Sequence, residues 1–506
     1  MNESSADVLV LPDDQYNRAL VKNVHPANWQ NPTPNGRYNM VVIGGGAAGL
    51  ICAIGAAGMG AKVALIERHL LGGDCLNFGC VPSKSLIRIA RAIHDARSLD
   101  KFGGSAESVS LDFGDAMKRM RRLRAQLSVN DSAQRFADLG VDVFIGDASF
   151  VSKTEIVVGD QKLSFARAVI ATSARARAAS IPGLNEAGFL TNVTVFSLTE
   201  LPKRLVVVGA GPIGCELAQA SSRMGSEVTI IGREPDLLPR EDPDAAAVLS
   251  DQFGKEGIQL LLGTDLTAVK TKDDGSKLLL CKQGGNTIEV AADEILLSIG
   301  RVPNTEGLGL EQAGVKYDRR GVIVSDKLRT SNRRIYAAGD ICSRYQFTQA
   351  ADAMARIVIQ NALFFGRKKV SSLVIPWCTY TDPEIAHVGI TSTEAQRSCA
   401  ITQTVQLASM DRALLDGETA GFARVHVDPK KGRILGATLV ATHAGEMIAE
   451  MSLAMTTNQP LGTLARTIHP YPTQSEVWKR LGDQWNRKRF TPFIAKLFKR
   501  WLAWIR

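Results

Sequence analysis

No run of about 18 uncharged apolar residues occurs anywhere in the 506-residue chain, whereas a helix that crosses a bilayer needs ~20. No transmembrane helix is therefore expected. The opening residues, MNESSADVLVLPDDQYNRAL, lack a basic stretch followed by an apolar one, so no secretory signal is read there. The chain also lacks a disulfide framework. Its eight cysteines are Cys52, Cys75, Cys80, Cys215, Cys281, Cys342, Cys378 and Cys399, and only Cys75 and Cys80 lie close together. These absences make the cytoplasm the expected compartment. No short-period repeat or low-complexity tract is present. A basic body is missing too. The net charge is +9, but residues 478–506 hold nine Lys or Arg and one acid, Asp483, so the rest of the chain carries +1. Nucleic acid is accordingly not an expected partner.

What is present reads as a globular protein. Hydrophobic residues make up 45% and charged residues 22%, and the length corresponds to about three domains. Tyr38–Ile43 (YNMVVI) is a buried-strand pattern that runs into glycines, a small-residue helix over 47–59 and a second strand, Lys62–Ile66. The same order recurs as the strand Arg204–Val208, the turn Gly209–Gly214, the helix Cys215–Met224 and the strand Glu227–Ile231. Two such units imply an α/β chain with two doubly wound dinucleotide-binding domains. From about residue 372 the pattern changes to short strands and a helix near 444–457, an α+β third domain. Residues 1–37 are polar and contain Pro26, Pro32 and Pro34, so they read as an extended surface leader. A basic helix is read over Asp115–Leu127.

The first glycine turn is Gly44-Gly45-Gly46-Ala47-Ala48-Gly49. In G-x-G-x-x-G, Gly44 allows a tight turn, Gly46 lets the backbone approach a pyrophosphate, and Gly49 lets helix and strand pack closely. Glu67, at the end of the next strand, stands where a carboxylate would bind ribose hydroxyls. The second turn places Gly209, Gly211 and Gly214 in the same three roles. Its acidic position is Gly232, followed by Arg233, which can pair with a 2′-phosphate. That favours NADPH. NADH is the alternative if Glu234 takes the ribose.

Gly72–Ser85 reads GGDCLNFGCVPSKS. Cys80 opens a predicted helix, whose dipole lowers a thiol pKa, and Lys84 adds positive charge one turn on. With the preceding dinucleotide unit, this pattern resembles the class I pyridine nucleotide–disulfide oxidoreductases, the family of dihydrolipoamide dehydrogenase, glutathione reductase and mercuric reductase. The likeness runs over residues 38–480. It implies FAD as cofactor, with Cys80 the thiol against the flavin and Cys75 the thiol that meets the acceptor. Lys84 would pair with Glu216 near the flavin. Gly146, Thr172 and Asp340 would contact FAD, and Gly300 would lie near the nicotinamide cofactor. The implied domains are an extension (1–37), an FAD domain in two parts (38–184 and 301–371), an NAD(P) domain (185–300), a dimerisation domain (372–480) that makes the protein a homodimer, and a tail (481–506). No resident metal is implied.

The chain departs from that family pattern in places. The partner-subunit segment reads His469-Pro470-Tyr471-Pro472-Thr473-Gln474-Ser475-Glu476. Tyr471 stands at the family's histidine base, while its acidic companion Glu476 is kept. A phenol with a pKa near ~10 is a poor base at neutral pH, and His469, two residues earlier, is the alternative. Tyrosine here is similar to mercuric reductase, yet an N-terminal C-x-x-C module and a C-terminal vicinal cysteine pair are both missing. Pro212 replaces an aromatic lid, and Ser173 replaces a turn glycine. The expected acceptor is a metal ion or a disulfide, mercuric reductase-like before dihydrolipoamide dehydrogenase-like. A membrane-peripheral quinone reductase and a flavin-binding scaffold without turnover are the rivals. The quinone reading draws on the tail, where apolar residues at 493, 494, 497, 498, 501, 504 and 505 leave Lys496, Lys499 and Arg500 off the stripe. The tail is expected either on an anionic membrane surface or on the protein itself.

Overall fold

The computed structural model describes residues 10–105, 108–488 and 490–506. Residues 1–9 of the leader and Arg489 of the tail fall outside the described residues. The chain divides into two compact units, Met1–Arg233 with Gly257–Leu373, and Glu234–Glu256 with Val374–Arg506.

The first unit is built on a seven-stranded sheet. Its parallel part runs Val141–Ile145, Val63–Glu67, Arg37–Ile43, Gln161–Ile170 and Ile335–Ala337. Ile43 pairs with Ile66 on one side and Ile170 on the other, so the strand reaches the glycine turn in register with both neighbours. Met40, Val41, Val42 and Ile43 are buried, as a strand covered on both faces requires. Each such aliphatic side chain contributes ~1.5–3 kcal/mol on burial. A second parallel sheet orders Gln259–Leu262, Glu227–Gly232, Arg204–Val208 and Glu294–Leu297. The helices Ala47–Gly58 and Pro212–Met224 follow their glycine turns, so the two-fold α/β grammar read from the sequence is the observed one.

The second unit carries a five-stranded antiparallel sheet, in the order Pro376–Thr379, Glu384–Gly389, Ile434–Ala441, Phe422–Val427 and Ile401–Gln406. The helices Ala444–Thr456 and Glu476–Lys488 contribute to the same core. Trp478 is fully buried there, and its indole N–H donates to the Met447 carbonyl at 3.1 Å.

The leader corrects the sequence reading. Residues Gln15–Val24 form a helix rather than extended chain. Asp14 caps it by accepting from the backbone N–H groups of Tyr16 and Asn17 at 2.9 Å. Leu20 and Val24, four apart, are buried. The helix packs on Phe113–Ser128, where Arg121 pairs with Asp14 at 2.5 Å and buried Arg124 donates to the Asn17 side chain at 2.6 Å. After the helix, Asn31 exchanges two hydrogen bonds with the backbone of Ile145 on the sheet's edge strand. The prolines mark only the return strap, and of the charges on Phe113–Ser128, Arg121 and Arg124 are buried partners of the leader helix.

Candidate active site

The glycine turns set the floor of the site. Gly44 has φ +105°, and a Cβ there would lie 2.3 Å from the Ala171 carbonyl oxygen. At Gly49 a Cβ would come within 1.7 Å of the Gly44 oxygen, so helix and strand touch through the missing side chain. At Gly46, by contrast, a Cβ would meet only the Gly73 Cα, at an ordinary contact distance of 3.8 Å, and the backbone N–H groups of the helix N-terminus follow directly. Gly209, Gly214 and Gly211 repeat this division: 2.4 Å from the Ser298 oxygen, 2.1 Å from the Gly209 oxygen, and nothing within 4 Å. Both turns are cradles shaped for a pyrophosphate. Gly49→Ala is therefore expected to yield protein without flavin, read as loss of the flavin absorbance after purification.

Glu67 is placed at the first cradle. Its carboxylate accepts from Gly45 N–H at 2.6 Å and His69 N–H at 2.7 Å, and burial pushes its pKa up. Gly146 donates its N–H to the Glu67 carbonyl at 2.9 Å. Thr172 and Asn304 exchange side-chain-to-backbone hydrogen bonds, both at 2.8 Å. Ser173, the residue in place of a turn glycine, has φ +59° and keeps the left-handed turn without it. Gly232 ends its strand, and Arg233 is exposed just beyond. Gly300 has φ +106° with open space where a side chain would be.

The cysteine loop is seated directly on the first cradle. Gly72 N–H donates to the Gly45 carbonyl at 2.8 Å. A Cβ on Gly73 would come within 2.7 Å of Gly46 Cα, so the paired glycines let two backbones touch. A short helix, Gly73–Asn77, carries Cys75, and Gly79 caps the long helix Cys80–Arg97. Cys80 thus occupies the first turn of an 18-residue helix, where unsatisfied N–H groups favour an anion.

The electrostatics separate the two thiols. Cys80 is held down, to about 6, first by a hydrogen bond from Cys75 and then by the Thr348 hydroxyl and the Lys84 charge. Cys80 Sγ lies 3.4 Å from Thr348 Oγ1. Cys75 is pushed up by the same thiol pair and by burial. In the dithiol form the first negative charge therefore rests on Cys80. Lys84 Nζ lies 2.6 Å from a carboxylate oxygen of the buried Glu216. Replacing Lys84 by methionine should raise the Cys80 pKa by about one unit, since a neighbouring cation favours thiolate by ~1–3 units. The pH dependence of iodoacetamide alkylation in the reduced protein measures it, and the reactive limb should move to higher pH.

Two groups at this site carry no local sequence signal. Thr348 opens a helix 268 positions from Cys80. Arg301 lies 2.5 Å from Asp74, beside Cys75, and 3.4 Å from Asp340. It follows Gly300 directly, so the SIGRVPN segment pointed to the neighbourhood but not to this ion pair. Asp340 is pushed up mainly by burial.

Tyr471 and Glu476 belong to the second unit. Tyr471 is 70% exposed and donates its phenol to Asp411 at 3.0 Å, a bond that pushes its pKa further up. Glu476 is the first residue of the Glu476–Lys488 helix. His469 lies 3.1 Å from both carboxylate oxygens of Glu450.

Comparison with known proteins decides the family. The sequence model of the pyridine nucleotide-disulphide oxidoreductases matches residues 38–355, and that of their dimerisation domain matches 375–481. The chain belongs to this family. It is 33% identical to mercuric reductase of Staphylococcus aureus, over 93% of this chain and 89% of that one. It is also 33% identical to dihydrolipoyl dehydrogenase of Chlamydia muridarum, over 88% and 96%. Among solved structures, the Cu(II) complex of the HOCl-induced flavoprotein disulfide reductase RclA from Escherichia coli aligns with a TM-score of 0.79 at 28% identity, covering 89% of this chain and all of that one. LpdA from Mycobacterium tuberculosis aligns with a TM-score of 0.81 at 26% identity, covering 88% and 99%. The protein is a flavin-dependent oxidoreductase that uses FAD and NAD(P)H, and the open Gly46 and Gly211 cradles fit those two dinucleotides. Its dimerisation domain is that of a homodimer. Among the described residues, no helix is long and apolar enough to cross a membrane.

Proposed function

We propose that this protein is a cytoplasmic, NADPH-dependent homodimer that passes two electrons through FAD to Cys75–Cys80 and on to a thiophilic metal ion, as a mercuric reductase does. FAD, when bound, takes a hydride from NADPH and supplies two electrons to the disulfide. The residues manage the rest. Breaking the S–S bond leaves charge on Cys80, where the helix N-terminus, the Cys75 S–H, Thr348 and Lys84 hold it. Cys75 keeps its proton until an acceptor arrives. A soft cation takes both sulfurs as ligands and displaces that proton. Overall, NADPH and Hg(II) yield NADP⁺, a proton and Hg(0). Glu67, Gly146, Thr172 and Asp340 are the residues expected around FAD, with Gly209, Gly211, Gly214, Arg233 and Gly300 around NADPH. Arg233 is the partner for a 2′-phosphate.

The observation that carries the metal reading is Tyr471, an exposed phenol tied to Asp411 and held in its protonated form. A bound metal ion needs no base to be reduced. Oxidation of a dithiol does. The RclA relative forms a Cu(II) complex, which supports a metal ion as the acceptor. A second reading, dihydrolipoamide oxidation, is favoured by the His469–Glu450 pair, in which a carboxylate from the Ala444–Thr456 helix backs the imidazole.

Anaerobic titration of the holoenzyme with NADPH, followed by steady-state assays, tests the proposal. Two-electron reduction should develop a long-wavelength absorbance band, and further NADPH should then bleach the flavin. NADPH-driven Hg(II) reduction should then exceed dihydrolipoamide oxidation by at least ~10-fold in kcat/KM, the scale set by losing one general base. The reverse ratio installs the dithiol reading. A flavin that NADPH does not bleach sinks both.

A further inference from the structure

Among the described residues, no large part of the C-terminal helix is covered by the rest of the chain. Pro492–Trp504 is capped by Thr491, whose hydroxyl accepts from Ile494 N–H at 3.3 Å, and none of its residues is buried. Its composition is divided sharply around the axis. At ~100° per residue, Phe493, Leu497, Trp501 and Trp504 share one half of the circumference with Ile494, Phe498, Leu502 and Ile505. Lys496, Lys499, Arg500 and Arg506 fall on the other half, and no acid follows Asp483. Eight large apolar side chains stand on one face. Phe493 is 76% exposed and Trp504 75%, and the Trp501 and Trp504 rings lie 5.2 Å apart. Water is a poor surrounding for that face, and stabilising it requires a cover.

We infer that the cover is an anionic phospholipid surface and that the helix lies in its interface, making this oxidoreductase a membrane-peripheral enzyme. Three features select this occupant over another protein face. The apolar half is aromatic-rich, and tryptophan suits the boundary between headgroup and acyl chain. The opposite half carries cations alone, which complement a negative leaflet; a helix docked on protein would be free to carry acids as well. The preceding helix ends Arg487-Lys488, extending the positive charge toward the same segment. The length, 13 residues, is too short to span a bilayer and sufficient to lie on one. The inference concerns only the surface the helix meets, and it stands whichever acceptor the cysteines reduce.

Sedimentation of the FAD-loaded holoenzyme with sucrose-loaded vesicles tests it. Vesicles of phosphatidylcholine with phosphatidylglycerol should carry the protein down at low salt, and vesicles of phosphatidylcholine alone should not. The triple variant K496E/K499E/R500E should lower the partition coefficient about a hundredfold, the scale expected for removing several interfacial cations. Trp501→Ser with Trp504→Ser should release the protein from the same vesicles even at low salt, which separates interfacial insertion from charge attraction alone. Both variants should keep flavin content and NADPH-driven turnover with a soluble acceptor, since no residue of Pro492–Trp504 is buried. Equal binding to both vesicle types, or to neither, overturns the inference. So does a truncation at Thr491 that leaves vesicle binding unchanged, or one that converts a larger assembly into a smaller one where the full chain never bound vesicles, because the face would then belong between copies of the chain.

Discussion

Cys75→Ser should abolish turnover with the physiological acceptor, by about a thousandfold or more, while NADPH still bleaches the flavin at close to the wild-type rate. The split follows from the two positions. Cys80 sits at the N-terminus of the Cys80–Arg97 helix, with Lys84, Thr348 and the Cys75 thiol lowering its pKa. Cys75 lies on the short preceding helix, with its proton held by burial and by the hydrogen bond to Cys80. Removing Cys75 leaves one sulfur, which can neither close a disulfide nor take a metal ion in two-coordinate fashion. It also removes the largest influence holding Cys80 down, so the remaining thiolate should titrate at a higher pH than in the wild type. Cys80→Ser should likewise stop acceptor turnover, and it should also eliminate the long-wavelength band at every pH, because the sulfur carrying the first charge is gone. Stopped-flow reduction by NADPH, run beside steady-state assays, distinguishes the two variants. If Cys80→Ser retains wild-type acceptor turnover, electrons leave the flavin by another route, as a quinone reductase would allow.

The parts of this site that the sequence made legible are those whose chemistry is local. Gly44, Gly46 and Gly49 are within six residues of one another, and their roles follow from backbone geometry that no distant residue sets. The same holds for Cys80 and Lys84, about one helix turn apart. What was not legible depends on long-range packing. Thr348 reaches Cys80 because its helix begins beside the loop. Arg301 meets Asp74 because the strand Arg301–Pro303 pairs with Ala174–Ala176. No spacing rule connects such positions. The leader failed for a different reason. Three prolines outweighed a cap at Asp14 and an i, i+4 apolar pair at Leu20 and Val24, although those signals were present. A helix this short is stabilised by its contacts with Phe113–Ser128 rather than by propensity, and those contacts are tertiary.

Tyr471→His should increase oxidation of dihydrolipoamide by about ten- to a hundredfold in kcat/KM, within the ~10²–10⁴ range of a positioned general base. A neutral imidazole accepts a proton near neutral pH, whereas the phenol of Tyr471 is held protonated by its bond to Asp411. The side chain is exposed, so the exchange should change stability by no more than ~0.5 kcal/mol. Asp411 beside the new imidazole would favour its protonated form, so its pKa should lie above the ordinary ~6.5. The base acts when neutral. Dithiol oxidation by the variant should therefore rise with pH through that value and level off above it, and the wild type should show no such limb. Hg(II) reduction should gain nothing, because the metal route consumes no base. The His469–Glu450 pair supplies the opposing case. If the wild type already oxidises dihydrolipoamide as fast as the variant, and His469→Gln removes that activity, then His469 is the base and the dithiol reading takes first place. The two outcomes differ in rate and in the variant that changes it, so a variant that merely repacks the segment cannot imitate either.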